Sequence, residues 1–190
     1  NIKIVDTKKI KIDNSIFKRK IKIAFFSSDI NQAHSVTYFL KPVLKNINKN
    51  KFEISVISNS KEDKYKDEYK IYLNNWFNIR NFNDVEAINF IREKKFDVIF
   101  DLMGFTSENR ISLFKNRIAP IQISWLGYCN TLGLDEMDYI YSDNNLILSG
   151  EEKFYSEKVI KFENIWSAHV GFNFDRPKLS TPAYKNGYFT

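Results

Sequence analysis

Apolar residues come in short bursts along this chain, and the bursts alternate between two spacings. Ile21 to Phe26 is nearly continuous, as in a parallel strand buried on both faces. Ser27-Ser28-Asp29 ends it, and Ser35 is placed to cap the helix that follows. Val36, Phe39, Leu40, Val43, Leu44 and Ile47 recur at helical spacing and predict a face turned toward a sheet. Phe52 to Ile57 predicts a second strand, and a strand–helix–strand order joins parallel neighbours by a right-handed crossover. Ser60 to Lys70 reads as an exposed, mixed-charge segment, and Trp76 to Ile79 as a short edge strand. Asn83 and Glu86 have the spacing of a capping pair, before a helix whose apolar stripe is Val85, Ile88 and Ile91. Phe96 to Leu102 predicts another buried strand, ended by Gly104, and Asn109 to Asn116 a short helix.

The stretch that organises the chain runs from Ala119 to Tyr128. Pro120 cannot extend a preceding helix, and Ile121, Ile123 and Trp125 have the β-branched and aromatic bias of a strand. Gly127 then allows the backbone a close approach, and polar residues follow: Asn130, Thr131, Asp135 and Glu136. Tyr139 to Tyr141 predicts a further strand, Glu151 to Glu157 a helix, and Val159-Ile160 the start of a last strand. The alternation is that of an α/β fold: a doubly wound, Rossmann-like parallel sheet with flanking helices. Residues 1–20 read as a polar approach and 21–172 as the domain. Residues 173–190, with Pro177 and Pro182, read as a linker leaving it. No repeat of ~34 residues is visible.

Composition narrows the class only a little. The hydrophobic share of 43% and aromatic share of 16% supply a real core. The 29 basic residues are interspersed with 23 acidic ones, so the net charge of +6 describes a lysine-rich solvated surface and no nucleic-acid motif goes with it. A single cysteine, Cys129, excludes an internal disulfide framework. No apolar run approaches the ~18 residues of a membrane span, and the basic segment 1–22 lacks a signal-peptide core. The chain opens on Asn1 rather than methionine and reads as a piece of a longer protein.

Open α/β sheets gather ligands at the C-terminal ends of their strands, and the candidate chemistry falls there. His34 is either a neutral imidazole able to take a proton from a hydroxyl or a half-exposed histidine at a helix start. Asp101, with Gly104 and Thr106, either hydrogen-bonds a polyol or caps the segment after its strand. Backbone amides beside Gly127 suit a sugar or its phosphate, while Trp125 reads as core packing. Arg110 and Arg117 either meet phosphates or lie on solvated helix faces. Cys129 has no partnering motif, and His169, with only one other histidine, makes no metal-ligand spacing. Neither G-x-G-x-x-G nor G-x-x-x-x-G-K-[ST] occurs.

Gly104-Phe105-Thr106, Arg110, Arg117 to Gln122, Trp125 to Tyr128, Thr131, Gly133 and Met137-Asp138-Tyr139 follow one another in order, with Tyr155-Ser156-Glu157-Lys158 downstream. In that order they resemble the catalytic region of O-linked N-acetylglucosaminyltransferases, the family of SPINDLY-like and bacterial tetratricopeptide-repeat enzymes. The resemblance runs from about Lys20 to Thr190 and is strongest from Asp101 to Ser142. It implies the N-terminal lobe of a GT-B glycosyltransferase, in which two Rossmann-like lobes face a cleft. The implied reaction is metal-independent, needs no cofactor, and inverts the anomeric carbon of UDP-N-acetylglucosamine as a protein Ser or Thr hydroxyl attacks. By matching position Thr106, Leu126 and Gly127 line the sugar side. Asp101, Gly104, Tyr128 and Thr131 join them as substrate-binding candidates, and His34 is the cleft histidine, in the role of a base. Lys185 to Thr190 resembles the opening of the second lobe, which carries most of the uridine diphosphate site. The implied partners are that C-terminal lobe, upstream tetratricopeptide repeats and a protein acceptor, in the cytoplasm. No nucleic acid or membrane partner is implied, and the fragment alone is expected to be inactive.

Three features depart from the family pattern. One extra residue separates Asp29 from His34, Met103 stands where relatives carry Asn, and Cys129-Asn130 replaces Pro-Gly. All fall at the expected sugar site. They keep open a transferase for another sugar or for asparagine, and a non-catalytic α/β interaction module.

Overall fold

The computed structural model describes residues 18–30, 34–169 and 182–188. At its centre is β1 (Ile21–Ser27), whose residues alternate between two cores. Ile23 and Phe25 join one, Ala24 and Phe26 the other, and all four are buried. A strand covered on both faces has little use for polar residues, hence the nearly continuous apolar run.

Around β1 a seven-stranded sheet forms in the order β3-β2-β1-β4-β5-β6-β7, every neighbouring pair parallel. The strands are β2 (Phe52–Ser58), β3 (Asn75–Asn78), β4 (Val98–Asp101), β5 (Ile121–Ser124), β6 (Tyr139–Asp143) and β7 (Lys158–Phe162). Helices α1 (Ser35–Asn46) and α2 (Lys66–Tyr69) pack on the Phe25 face, through Val36, Leu40, Leu44 and Tyr69. Helices α3 (Asp84–Lys94) and α4 (Ile111–Lys115) pack on the Phe26 face, through Ala87, Ile88, Ile91, Leu113 and Phe114. A last short helix, α5, spans Pro182–Asn186. The chain therefore builds outward from β1 in one direction and from β4 in the other. The reversal puts a topological switch point between those two strands, where doubly wound sheets hold their ligands.

Several expectations need correction. His34, not Ser35, caps α1, because its ring nitrogen reaches the Val36 amide. Val85 is exposed and Ala87 takes its place in the stripe, since the capping box of Asn83 and Glu86 sets the rotation of α3. Tyr69, in the charged segment, is buried against the core around Phe25. Glu151 to Glu157 forms only a 3₁₀ turn over Glu152–Phe154. Trp125 is in the core, within an aromatic row with Phe25, Phe100, Tyr141 and Phe162. That row lines an apolar cavity of about 830 Å³ beyond α1. The expected approach and linker segments lie largely outside the described residues.

The N-terminal edge of the sheet is tied by one device used twice. Asp97, before β4, takes Arg19 in two bonds of 2.7 and 2.8 Å and accepts the Lys22 amide at 2.8 Å. Asp138, before β6, takes Arg117 at 2.8 and 2.9 Å and accepts the Gln122 amide at 2.8 Å. In each case the aspartate amide returns a bond to the same neighbour, Lys22 or Gln122. A planar guanidinium matched to a carboxylate gives both strength and register. Burial alone would raise the Asp97 carboxyl, but the Arg19 and Lys22 bonds outweigh it and hold it below its ordinary range.

Arg117 is 11% exposed and Asp138 28%. Arg117→Ala is expected to cost about 2–3 kcal/mol in urea unfolding, because a part-buried carboxylate loses its cation. Lys70→Ala, which removes the exposed ion pair with Asp67, is expected to cost less than about 0.5 kcal/mol. Equal losses in the two variants would show that the tie before β6 is not structural.

Candidate functional site

Three loops meet beyond the switch point, those after β1, β4 and β5. The loop after β4 is built by Asp101. Its side chain accepts the Met103 amide with one oxygen and the Gly104 amide with the other, both at 3.0 Å. This turns the chain sharply enough that Gly104 takes a φ of +54°. Thr106 closes the turn by donating its hydroxyl to the Met103 carbonyl at 2.7 Å. Phe105 is left standing in solvent, edge-on to Tyr128 at 5.7 Å. Asp101 is therefore placed inward, 2% exposed, where it shapes the loop. Burial pushes its carboxyl up to about 6, against the downward pull of the two amides.

The loop after β5 is tighter. The Gly127 amide donates to the Trp125 carbonyl at 3.1 Å, two residues back, with Leu126 between them at a φ of +80°. This is a γ-turn of the strained hand, carried by a leucine. The strain persists because both flanks are held. Trp125 is buried, donating its indole N–H to the Trp166 carbonyl at 3.0 Å. Gly127 lies so close to Leu102 that a β-carbon would overlap the Leu102 carbonyl oxygen. A β-carbon on Gly104 would likewise run into the Tyr128 side chain. Beyond Tyr128 the loop is clamped by buried Glu157, which accepts the Thr131 hydroxyl at 2.7 Å and the Leu132 amide at 2.6 Å.

The loop after β1 is joined to the β4 loop through sulfur. Met103 Sδ accepts the Ser27 hydroxyl at 3.3 Å and the Ser28 amide at 3.2 Å. Glu108, itself at a φ of +59°, straps the β4 loop across the ends of β1 and β2. Its carbonyl accepts Ser28 Oγ at 3.0 Å and Asn59 Nδ2 at 3.1 Å, and its carboxylate pairs with Arg80 and Lys61. His34 stands at the start of α1, with Nε2 3.7 Å from Asp29 Oδ2.

The sequence-derived candidates thus divide. Thr106, Gly127, Tyr128, Thr131 and His34 are partly exposed at the C-terminal edge of the sheet. Asp101, Gly104 and Leu126 are buried and shape the loops there. Arg110 and Arg117 belong to neither expected class. Arg110 pairs with Asp84 and donates to the Ile79 carbonyl, and Arg117 is the tie before β6. Sequence reasoning did not single out Asp29, the Glu108 strap or the γ-turn at Leu126. Only Glu157 left a signal, in the Tyr155 to Lys158 signature.

The strain at Leu126 reverses an ordinary rule. At a position with negative φ, glycine is less stable than alanine by up to about 1 kcal/mol. Here Leu126→Gly is expected to be more stable than Leu126→Ala by about 1 kcal/mol, both below the wild type through lost burial. Thermal melts of the two variants decide the order. Asp101 gives a second expectation. Between its ordinary 3.8 and about 6 the folded chain keeps a proton that the unfolded chain releases. Its ionisation therefore removes stability as pH rises through that window and contributes no slope outside it. The Asp101 ¹³Cγ resonance is expected to titrate near 6, and a midpoint below 4 would mean that the amide bonds overcome burial.

Comparison with known proteins bears on this geometry. The chain is 27% identical over 178 residues to the probable UDP-N-acetylglucosamine–peptide N-acetylglucosaminyltransferase SPINDLY of Arabidopsis thaliana. It is 27% identical over 184 residues to the SPINDLY protein of Solanum lycopersicum. These alignments cover 91% and 94% of this chain but 19% and 20% of the relatives, so the chain spans about a fifth of their length. A solved structure of a mutant Thermobaculum terrenum O-GlcNAc transferase matches with a TM-score of 0.73 and 26% identity, covering 86% of this chain and 30% of that one. Residues 1–170 match the profile of glycosyl transferase family 41. A match of that extent, on a parallel sheet shared with a solved O-GlcNAc transferase, makes this chain a member of glycosyl transferase family 41.

Proposed function

We propose that this chain is the N-terminal catalytic lobe of an inverting glycosyltransferase that moves N-acetylglucosamine from UDP-N-acetylglucosamine to Ser or Thr hydroxyls of proteins. The observation that carries the reading is the convergence of the β1, β4 and β5 loops at the switch point, held by the close approach of Gly127 to the Leu102 carbonyl and of Gly104 to the Tyr128 side chain. A rigid, half-polar crevice at that place suits a sugar better than a flexible surface does. Arg80 and Lys61, which lie beside the β4 loop, are both engaged by Glu108. The diphosphate is accordingly assigned to a C-terminal lobe, which accounts for the lack of a phosphate fingerprint in this chain. The reading assigns no metal or cofactor to the lobe. Among the described residues no helix is long and apolar enough to cross a membrane. A cytoplasmic enzyme whose tetratricopeptide repeats present the acceptor completes the proposal.

In this reading Thr106 and the Gly127 to Thr131 loop face the sugar, and Asp101 and Leu126 keep them in place. The carboxyl of Asp101 acts only on the loop. The Thr106 hydroxyl spends its proton on Met103 and keeps lone pairs for a sugar hydroxyl.

The test is UDP release by the full natural protein over a panel of UDP-sugars, with and without a protein acceptor. Acceptor-dependent release from UDP-N-acetylglucosamine is expected, and Thr106→Ala is expected to lower kcat/KM about 3- to 10-fold, the worth of one neutral hydrogen bond. No release from any UDP-sugar by the folded protein would overturn the proposal.

A further inference from the structure

Every polar atom of Met103 is in use, and each use leads to a different place. Its amide donates to Asp101 Oδ1 at 3.0 Å, at the end of β4. Its carbonyl accepts the Thr106 amide at 3.1 Å and the Thr106 hydroxyl at 2.7 Å. Its Sδ accepts the Ser27 hydroxyl at 3.3 Å and the Ser28 amide at 3.2 Å, where β1 ends. Met103 and Ser27 are both buried.

A methionine in a core ordinarily fills space, and its sulfur is a weak acceptor. Here two donors converge on it, and the bonding runs on beyond them. The Ser27 hydroxyl, with its proton given to sulfur, accepts the Asp29 amide at 2.9 Å. The Glu108 carbonyl ties the same loop from its exposed side, through Ser28 Oγ. Beneath that strap the sulfur is the inner link between the β1 and β4 loops. A buried donor without a partner costs more than its bond contributes, so an apolar residue of similar bulk at 103 would loosen this junction.

Thr106 is at the other end of the arrangement. Its amide and its hydroxyl are both directed to the Met103 carbonyl, so the direction of the hydroxyl lone pairs follows the Met103 backbone. Asp101 holds that backbone from β4, and the sulfur holds it from β1.

Resting on the transferase reading above, we infer that Met103 is a positioning residue, whose sulfur sets the β4 loop against the β1 loop and thereby fixes the Thr106 hydroxyl toward the sugar. Met103 itself touches neither donor nor acceptor. What the role requires is an acceptor atom at one place, and the thioether is one way to supply it. An asparagine Oδ1 stands as many bonds from Cα as a methionine Sδ and accepts the same donors more strongly. Leucine approximates the bulk of methionine and offers no acceptor.

The test uses the full natural protein, below the onset of its thermal unfolding, and reads kcat/KM for transfer from UDP-N-acetylglucosamine. Met103→Leu is expected to lower kcat/KM about 3- to 10-fold, as Thr106→Ala does. Met103→Asn is expected to stay within about twofold of the wild type. A double-mutant cycle separates positioning from general loosening. Because Met103 acts through Thr106, adding Met103→Leu to Thr106→Ala is expected to change kcat/KM by less than about twofold. Losses that multiply in the double variant, an unimpaired Met103→Leu, or a Met103→Asn as impaired as Met103→Leu each overturn the inference. Should Met103→Leu fail to fold, Ser27→Ala takes its place in the cycle, since it removes the other half of the bridge. Losses that multiply there overturn the inference equally. Failure of the transferase reading itself is seen separately, as absence of transfer by the wild type.

Discussion

The loops after β4 and β5 touch backbone to backbone, and the contact tolerates no side chain at residue 127. Gly127 lies against the Leu102 carbonyl, and Gly104 against Tyr128. Other features of the crevice follow from these two approaches. Because Gly127 is pressed onto β4, the chain must reverse within one residue after Trp125, and Leu126 is driven to positive φ. Because Gly104 turns under Tyr128, Phe105 is lifted outward and Thr106 comes round to the Met103 carbonyl. Asp101 supplies the local bonds that make the turn cheap, and Glu157 anchors the far end of the β5 loop. A crevice built this way is rigid before any ligand arrives, which lowers the ordering cost of binding.

The two edges of the sheet divide the labour. At the N-terminal edge the charges are matched and enclosed. Arg19 with Asp97 and Arg117 with Asp138 each join a guanidinium to a carboxylate that also takes a neighbouring strand's amide. Such pairs fix register, because a one-residue slip would strand both charges. At the C-terminal edge the polar groups are spread over loops and satisfied mostly by backbone. Thr106 is one group there that keeps lone pairs after its local bond is made. The asymmetry is what a parallel sheet invites, since helices cover the faces and only the strand ends remain for chemistry.

Much of the fold could be read from the chain. The buried strands are rich in apolar residues, and α3 begins at the capping pair Asn83 and Glu86. Errors came where tertiary contact overrides local preference. Ser35 is the better intrinsic cap, but the ring of His34 is already aimed at the Val36 amide. Tyr69 sits in a run of charges, and only the neighbouring Trp76 and α1 show why it is buried. The site was legible in position but not in role. Period and turn residues point to the ends of β1, β4 and β5. No sequence pattern says that Asp101 is spent on two amides, or that a leucine holds the left-handed position beside a glycine. Those depend on which atoms meet across strands far apart in the chain.

Several of the residues by which the family is recognised lie away from the loops assigned to the sugar. Arg117, Gln122, Asp138 and Glu157 belong to the pattern, and each is a structural tie. Gln122 accepts the Ile118 amide and donates to the Phe114 and Glu136 carbonyls, all at 2.8 to 2.9 Å, with no exposed atom left for a ligand. A match at these positions therefore certifies the geometry of the loops more than the reaction they perform. In the proposed reading, substrate choice falls to a smaller set: Thr106 and the exposed Cys129 and Asn130 beyond Tyr128. Two of the differences from the family pattern fall in or beside that set, and Met103 shows how such a difference is absorbed. Its thioether accepts the Ser27 hydroxyl and the Ser28 amide, bonds that an asparagine carbonyl would take more strongly. The β1 and β4 loops stay joined, with a softer and more apolar link beneath the place assigned to the sugar. The loop architecture is thus held through a fully buried thioether in place of the amide that relatives carry.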